Sequence, residues 1–248
     1  MYTWPSGAKY EGEYQYDKRH GNGKLKYADN SEFEGDWSHD LREGMGKFTW
    51  PDGSCYTGTF INDQMSGSGK LTWASTGNEY DGEWTKGKKN GFGTMVYGDK
   101  SVYTGGWTDD KRNGEGKMSV NTREGTYTYE GEWVMDQKHG DGKYTWPNTD
   151  VWYQGNWEND QRQGTGIATY PDGGRYEGGF INNMRSGNGI FTYADSSSYV
   201  GAWEHDLKHG KGIFTWSDGN KFSGEWQKGE SKSGILFEPD GTSRKINN

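Results

Sequence analysis

Aliphatic side chains are scarce in this chain. Leu, Ile and Val together number 18 in 248 residues, too few to fill the close-packed interior of an α/β enzyme. No segment approaches the ~18 consecutive apolar residues of a membrane-spanning helix. Cys55 is the single cysteine, so an internal disulfide is excluded and a reducing compartment is expected. The start, Met1-Tyr2-Thr3-Trp4-Pro5, lacks the charged region and apolar core of a secretory signal, and none is expected. Acids outnumber bases by 36 to 28, which argues against a nucleic-acid partner. Few aliphatics and a net charge of −8 are also the composition of a disordered chain. Against disorder stand 13 Trp, 17 Tyr and 9 Phe, set among 42 Gly.

Those residues recur at one period. The pattern Tyr/Phe-x-Gly-x-Trp/Tyr/Phe starts at Tyr10, Phe33, Tyr56, Tyr80, Tyr103, Tyr129, Tyr153, Tyr176, Tyr199 and Phe222, in steps of 23 to 26 residues. With each start as position 0, Gly-x-Gly occupies positions 11 and 13 from Gly21/Gly23 to Gly210/Gly212. In copies of the usual length an aromatic follows at position 17, as in Tyr27, Trp50 and Trp73, and the Pro-Asp-Gly or Asp-Gly that comes after some of them, as in Pro51-Asp52-Gly53 and Asp218-Gly219, is turn chemistry. Each unit reads strand, turn, strand, turn, with period-two alternation and no helical periodicity. The pattern predicts an all-β chain of about twenty short strands in consecutive hairpins: one array over 1–248, with half copies at both ends. A turn at positions 8 and 9 would set the Trp of position 4 opposite the glycine of 13. It would also set the glycine of position 2 opposite the apolar residue of 15, so that each ring lies over a glycine. Stability would then accumulate by stacking of neighbours, because one hairpin alone is marginal.

This sequence resembles the MORN repeat family, whose units pair a Tyr-x-Gly-x-Trp strand with a Gly-x-Gly strand at a 23-residue period. The likeness runs from about Tyr2 to Gly241. It implies an elongated, twisted, single-layer antiparallel sheet, no catalytic activity, no cofactor, and use as an assembly platform. Chains built only of such repeats resemble components of ciliary radial spokes and protist cytoskeletons. The resemblance therefore implies a cytoplasmic protein of the cytoskeleton or ciliary axoneme, with other proteins as partners or self-association.

Two variable features are candidate binding surfaces. Position 9 is basic in Arg19, Arg42, Lys89, Arg112, Lys138, Arg162, Arg185 and Lys208, a row along one edge of a stacked array. One reading is a phosphoinositide or tubulin site, with membrane lipid as partner. The other is turn chemistry, in which an Asp at position 7 caps its own turn and neutralises the base two residues on. On the face away from the rings, the same register pairs positions 3 and 14. Glu13/Lys24, Asp36/Lys47 and Glu132/Lys143 give charged pairs there. Asn156/Ile167, Gly179/Ile190 and Ala202/Ile213 give an isoleucine column instead, joined by Val200. Exposed isoleucines mark a protein-binding or dimerisation face, or else scattered strand formers covered by Thr169, Thr192 and Thr215. At Asn121–Thr126 the spacing swells by three, as a bend, a docking loop or a tolerated insertion.

Catalytic signatures are missing. Gly-x-Ser-x-Gly does not occur. Gly82–Lys89 has a phosphate-loop outline but carries Lys89 where Ser or Thr would hold magnesium. His20, His139 and His209 precede Gly-x-Gly in separate copies, and only His205 and His209 share a hairpin, so no metal site is expected. The sequence reads as a non-catalytic scaffold for protein–protein contacts in a cytoskeletal or ciliary assembly. A peripheral membrane or phosphoinositide adaptor is the alternative.

Overall fold

Alternating aromatic, glycine and polar residues suit a pleated surface and leave no helical face to bury. The computed structural model, which describes residues 1–247, holds twenty-two strands and no helix among those residues. It divides into two compact units, Met1–Asn121 and Thr122–Asn248. The first carries β1 (Tyr2–Thr3), β2 (Lys9–Gln15), β3 (Lys18–Lys26), β4 (Glu32–Ser38), β5 (Leu41–Thr49), β6 (Cys55–Ile61), β7 (Gln64–Trp73), β8 (Asn78–Thr85), β9 (Lys88–Val96), β10 (Val102–Thr108) and β11 (Lys111–Thr122). The second carries β12 (Gly125–Val134), β13 (Gln137–Thr145), β14 (Trp152–Glu158), β15 (Gln161–Thr169), β16 (Arg175–Ile181), β17 (Met184–Thr192), β18 (Ser198–Glu204), β19 (Leu207–Thr215), β20 (Lys221–Gln227), β21 (Glu230–Phe237) and β22 (Ser243–Asn247). Within each unit every strand pairs antiparallel with its neighbours in sequence, from β1–β2 to β10–β11 and from β12–β13 to β21–β22. Each is thus an open, unclosed hairpin sheet. The division falls at the swollen spacing. There β11 extends to twelve residues and β12 to ten, and Thr122 Oγ1 donates to the Gly125 carbonyl at 2.8 Å. The extra residues lengthen strands rather than form a loop.

The hairpin turns lie at positions 6 and 7, two residues earlier than the sequence pattern suggested. His39 and Asp40 have φ of 52° and 73°, and Asn159 and Asp160 of 49° and 65°. Two successive left-handed residues make the turn whose twist matches antiparallel strands, and Asn and Asp tolerate that conformation best. The register changes with it. Gly35 faces Gly46, Phe33 faces Phe48, and Trp37 faces Arg42, with a bulge between Gly35 and Trp37. The expected pairing of Trp at position 4 with glycine at 13 inside one hairpin is therefore incorrect. Two extra residues in the second strand make the bulge, and the first glycine of Gly-x-Gly bends there, as at Gly91 with φ 69°.

Rings still lie over glycines, by a diagonal route. The ring of position 0 leans along its strand and covers the glycines of positions 2 and 13. At Tyr80 a Cβ added to Gly82 would stand 2.6 Å from Tyr80 Oη and 2.5 Å from Gly93 Cα. Glycine is required there by close approach. The Trp of position 4 faces the glycine of position 11 in the copy before, as Trp37 faces Gly21 and Trp84 faces Gly67. Its indole donates to the carbonyl of the second glycine: Trp84 Nε1 to Gly69 at 2.8 Å and Trp107 Nε1 to Gly93 at 3.2 Å. Tyr80 meets Trp84 and Trp107 edge-on, with centroids 5.1 and 5.4 Å away, and such edge contacts add about 0.5–1.5 kcal/mol beyond burial. The core of each unit is this herringbone row. Tyr10, Tyr56, Tyr80 and Tyr103 are fully buried in the first unit, and Tyr153, Tyr176 and Tyr199 in the second.

Each buried phenol donates to the carbonyl of position 3, as Tyr56 Oη does to Thr59 at 3.1 Å and Tyr199 Oη to Ala202 at 3.0 Å. Burial pushes Tyr56, Tyr153 and Tyr199 up to about 12 and raises Tyr80 and Tyr176 as well. Unfolded tyrosines lose their protons near pH 10. The unfolded chain therefore binds fewer protons than the folded one between about pH 10 and 12, and stability falls with rising pH there. Urea midpoints should be level up to about pH 9.5 and decline steeply above 10; a flat profile to pH 12 would contradict phenol burial. Gly82→Ala should lower stability by about 1–3 kcal/mol through overpacking, read as a lower urea midpoint by tryptophan fluorescence. An unchanged midpoint would show that the ring does not rest on the glycine.

Candidate functional site

On the face away from the rings, positions 1 and 14 are cross-strand partners, not 3 and 14. Lys24 faces Glu11 and Glu34, and its ammonium reaches Glu32 at 2.6 Å and Glu34 at 3.2 Å. Lys47 faces Glu34 and Lys143 faces Glu130. The expected pairs Glu13/Lys24, Asp36/Lys47 and Glu132/Lys143 are corrected accordingly. Position 3 lies in the bulge and caps it: Glu13 Oε1 accepts from Asn22 N at 3.1 Å, and Asp36 Oδ2 from Met45 N at 3.0 Å.

The same shift reshapes the isoleucine column. In the second unit it runs Gln154, Ile167, Glu177, Ile190, Val200, Ile213, Ser223, Ile235, Lys245. Ile190, Val200 and Ile213 are direct neighbours, exposed by 44%, 47% and 44%. Ile167 is half-buried and separated from them by Glu177. Ala202 faces Asn188 and His209, off the column and at the bulge. Ile235, 39% exposed, continues the strip beyond Ser223. Gly234-Ile235 repeats Gly189-Ile190 and Gly212-Ile213, a signal obscured because the last copy lacks Gly-x-Gly. Along the strip is an open groove of about 490 Å³ lined by Val200, Ile213, Lys211, Glu225, Ser223 and Ser233, together with Gly212 and Gly224. The strip is exposed, mostly apolar and bordered by Lys211, Glu225 and serines, and suited to cover by another surface.

The basic residues of position 9 lie on the ring face and are engaged between copies. Arg19 N and Nε both donate to Asp40 Oδ1 at 3.0 Å, Nη2 donates to the Asp40 carbonyl, and the guanidinium lies 4.2 Å from the Trp37 centroid. Asp40 returns the bond from its N–H to the Arg19 carbonyl at 3.1 Å. Arg42 and Asp63 repeat this, as do Arg185 and Asp206. Lys89 N donates to Asp110, Lys138 N to Asp160, and Arg162 N to Asn183. Arg112 lies 5.7 Å from the Tyr103 centroid and Lys208 4.4 Å from Trp226. Asp at position 7 thus serves the base 21 or 22 residues before it, in the preceding copy, rather than capping its own turn. The Arg19 main-chain N–H, with its guanidinium, holds the Asp40 carboxyl below the usual carboxylate range.

Other chemistry-bearing residues stay apart. His20 meets His39 edge-on at 5.6 Å, and His209 Nδ1 lies 3.3 Å from Glu204 Oε2. Among the described residues no three of His, Cys, Asp and Glu gather as a metal set would. Gly82–Lys89 crosses from β8 into β9.

The chain is similar to solved single-domain structures over most of its length. The TCP10 domain of Danio rerio CPAP, in complex with a peptide of Danio rerio STIL, is 11% identical over 97% of this chain and 100% of that one, with a TM-score of 0.43. The TCP domain of Drosophila melanogaster SAS-4, in complex with a proline-rich motif of Ana2, is 14% identical over 82% and 90%, with a TM-score of 0.34. No curated relative matches significantly. The MORN repeat model matches nine times, at residues 10–32, 33–55, 56–77, 80–102, 103–119, 129–151, 153–175, 176–198 and 199–221. Its boundaries fall on the hairpins and on the ring-over-glycine register just described, and the chain belongs to the MORN repeat family.

Proposed function

We propose that this chain is a non-catalytic protein-interaction module of a cytoskeletal or ciliary assembly, and that it holds partners on the outward apolar strip of its second unit. The observation that carries this reading is the run of Ile190, Val200 and Ile213 as direct neighbours, extended by Ile235. The corresponding positions of the first unit carry charge, as with Lys24 and its glutamates. Each isoleucine regains about 25 cal/mol per Å² of surface that a partner covers, whereas an exposed Lys–Glu pair contributes little. MORN repeats are consistent with such a module, and the resemblance to radial-spoke and cytoskeletal chains is what favours that cellular setting over others. The lipid reading is weaker, since the bases it would use are engaged by aromatic rings and turn aspartates.

Replacing Ile190, Ile213 and Ile235 with Lys should leave thermal unfolding within a degree or two of wild type, because the three side chains are already exposed. It should abolish co-purification of cytoskeletal or axonemal proteins with the tagged chain. The same set of proteins captured by both forms would overturn the assignment of the strip.

A further inference from the structure

The clasp between copies has a sequence rule. At every joint but one where position 9 is basic, position 7 of the following copy is Asp or Asn, and within each unit the two residues exchange main-chain and side-chain bonds, as at Arg19–Asp40, Arg42–Asp63, Lys138–Asp160, Arg162–Asn183 and Arg185–Asp206. Two joints carry a different turn, Lys86-Gly87 and Lys228-Gly229, with glycine in the acid's place. At the first joint position 9 is Met65, so no charge is left over. At the second it is Lys208.

Lys208 keeps everything else its counterparts have. Its carbonyl accepts from Gly229 N at 2.9 Å, as the Arg185 carbonyl accepts from Asp206 N at 3.1 Å. The turn has the same handedness, with φ of 52° and 88° at Lys228 and Gly229 against 49° and 67° at His205 and Asp206. Three rings surround the ammonium: Trp226 at 4.4 Å, Phe214 at 4.8 Å and Tyr199 at 5.6 Å. Among the described residues no carboxylate lies within ion-pair distance of it. Burial, together with nearby Arg185, lowers its proton affinity. Arg185 is itself held by Asp206, and the turn opposite adds Lys228, an exposed base. A half-buried ammonium facing rings and further cations is stabilised by an added carboxylate.

We infer that Lys208 is the docking point for an Asp or Glu side chain of a partner protein. That side chain is received by the Lys208 main-chain N–H and ammonium beside the Trp226 ring, where the turn aspartate sits at the other joints. The geometry favours carboxylate, because Asp40, Asp63 and Asp206 already show how one sits against the same backbone. Phe214 and Ile213 are adjacent in β19 and point to opposite faces, so this site is separate from the isoleucine strip.

The test follows the Lys208 amide and Trp226 indole by NMR while N-acetyl-aspartic acid amide is added to the whole chain. N-acetyl-asparagine amide and inorganic phosphate serve as comparisons. Saturable shifts with the aspartyl compound, at least tenfold stronger than with either comparison, are expected. Gly229→Asp supplies the carboxylate internally; it should move the Lys208 amide in the same direction and abolish the response. Lys208→Gln should abolish the response as well. Equal responses to the asparaginyl compound or to phosphate would overturn the inference. So would no saturable response in wild type, or a response that survives in either variant.

Discussion

A phenol or benzyl ring laid across two facing glycines is the contact on which the rest depends. It needs glycine at positions 2 and 13, because a methyl group there would collide with the ring or with the opposite Cα. Once the ring is down, its neighbour's indole stands edge-on to it and donates to a glycine carbonyl. Rings, glycines and indoles thus settle together, copy upon copy. The aliphatic side chains that fill most cores are not required, because aromatic faces against backbone bury the same kind of surface.

Much of this was legible in the sequence. The period, the hairpins and the order of strands follow from the spacing of Tyr-x-Gly-x-Trp and Gly-x-Gly; that rings rest on glycine follows too, but not which ring rests on which glycine. The register was not legible. Alternation fixes which residues share a face but not how far two strands slide, and the bulge that admits two extra residues leaves no trace in a period-two pattern. Gly91 signals it only through a backbone conformation that its identity permits and does not announce.

That slip explains what was missed at the surface. With positions 1 and 14 paired, Val200 lies between Ile190 and Ile213, Ala202 leaves the strip, and Ile167 stands behind Glu177. The bases of position 9 likewise looked like a free edge, since their aspartate partners lie 21 or 22 residues further on, in the next copy. Partners one whole repeat away are invisible to a search within one turn.

The clasps also bear on how these sheets yield to force. Strands that come away in succession, as in peeling, break one row of backbone bonds at a time, and each reciprocal arginine–aspartate joint adds a further latch to its row. Met65 and Gly87 in the first unit, and Lys208 and Gly229 in the second, keep only the single main-chain bond. Under tension each unit therefore has a built-in tear line, set by where a glycine replaces an acid in a two-residue turn.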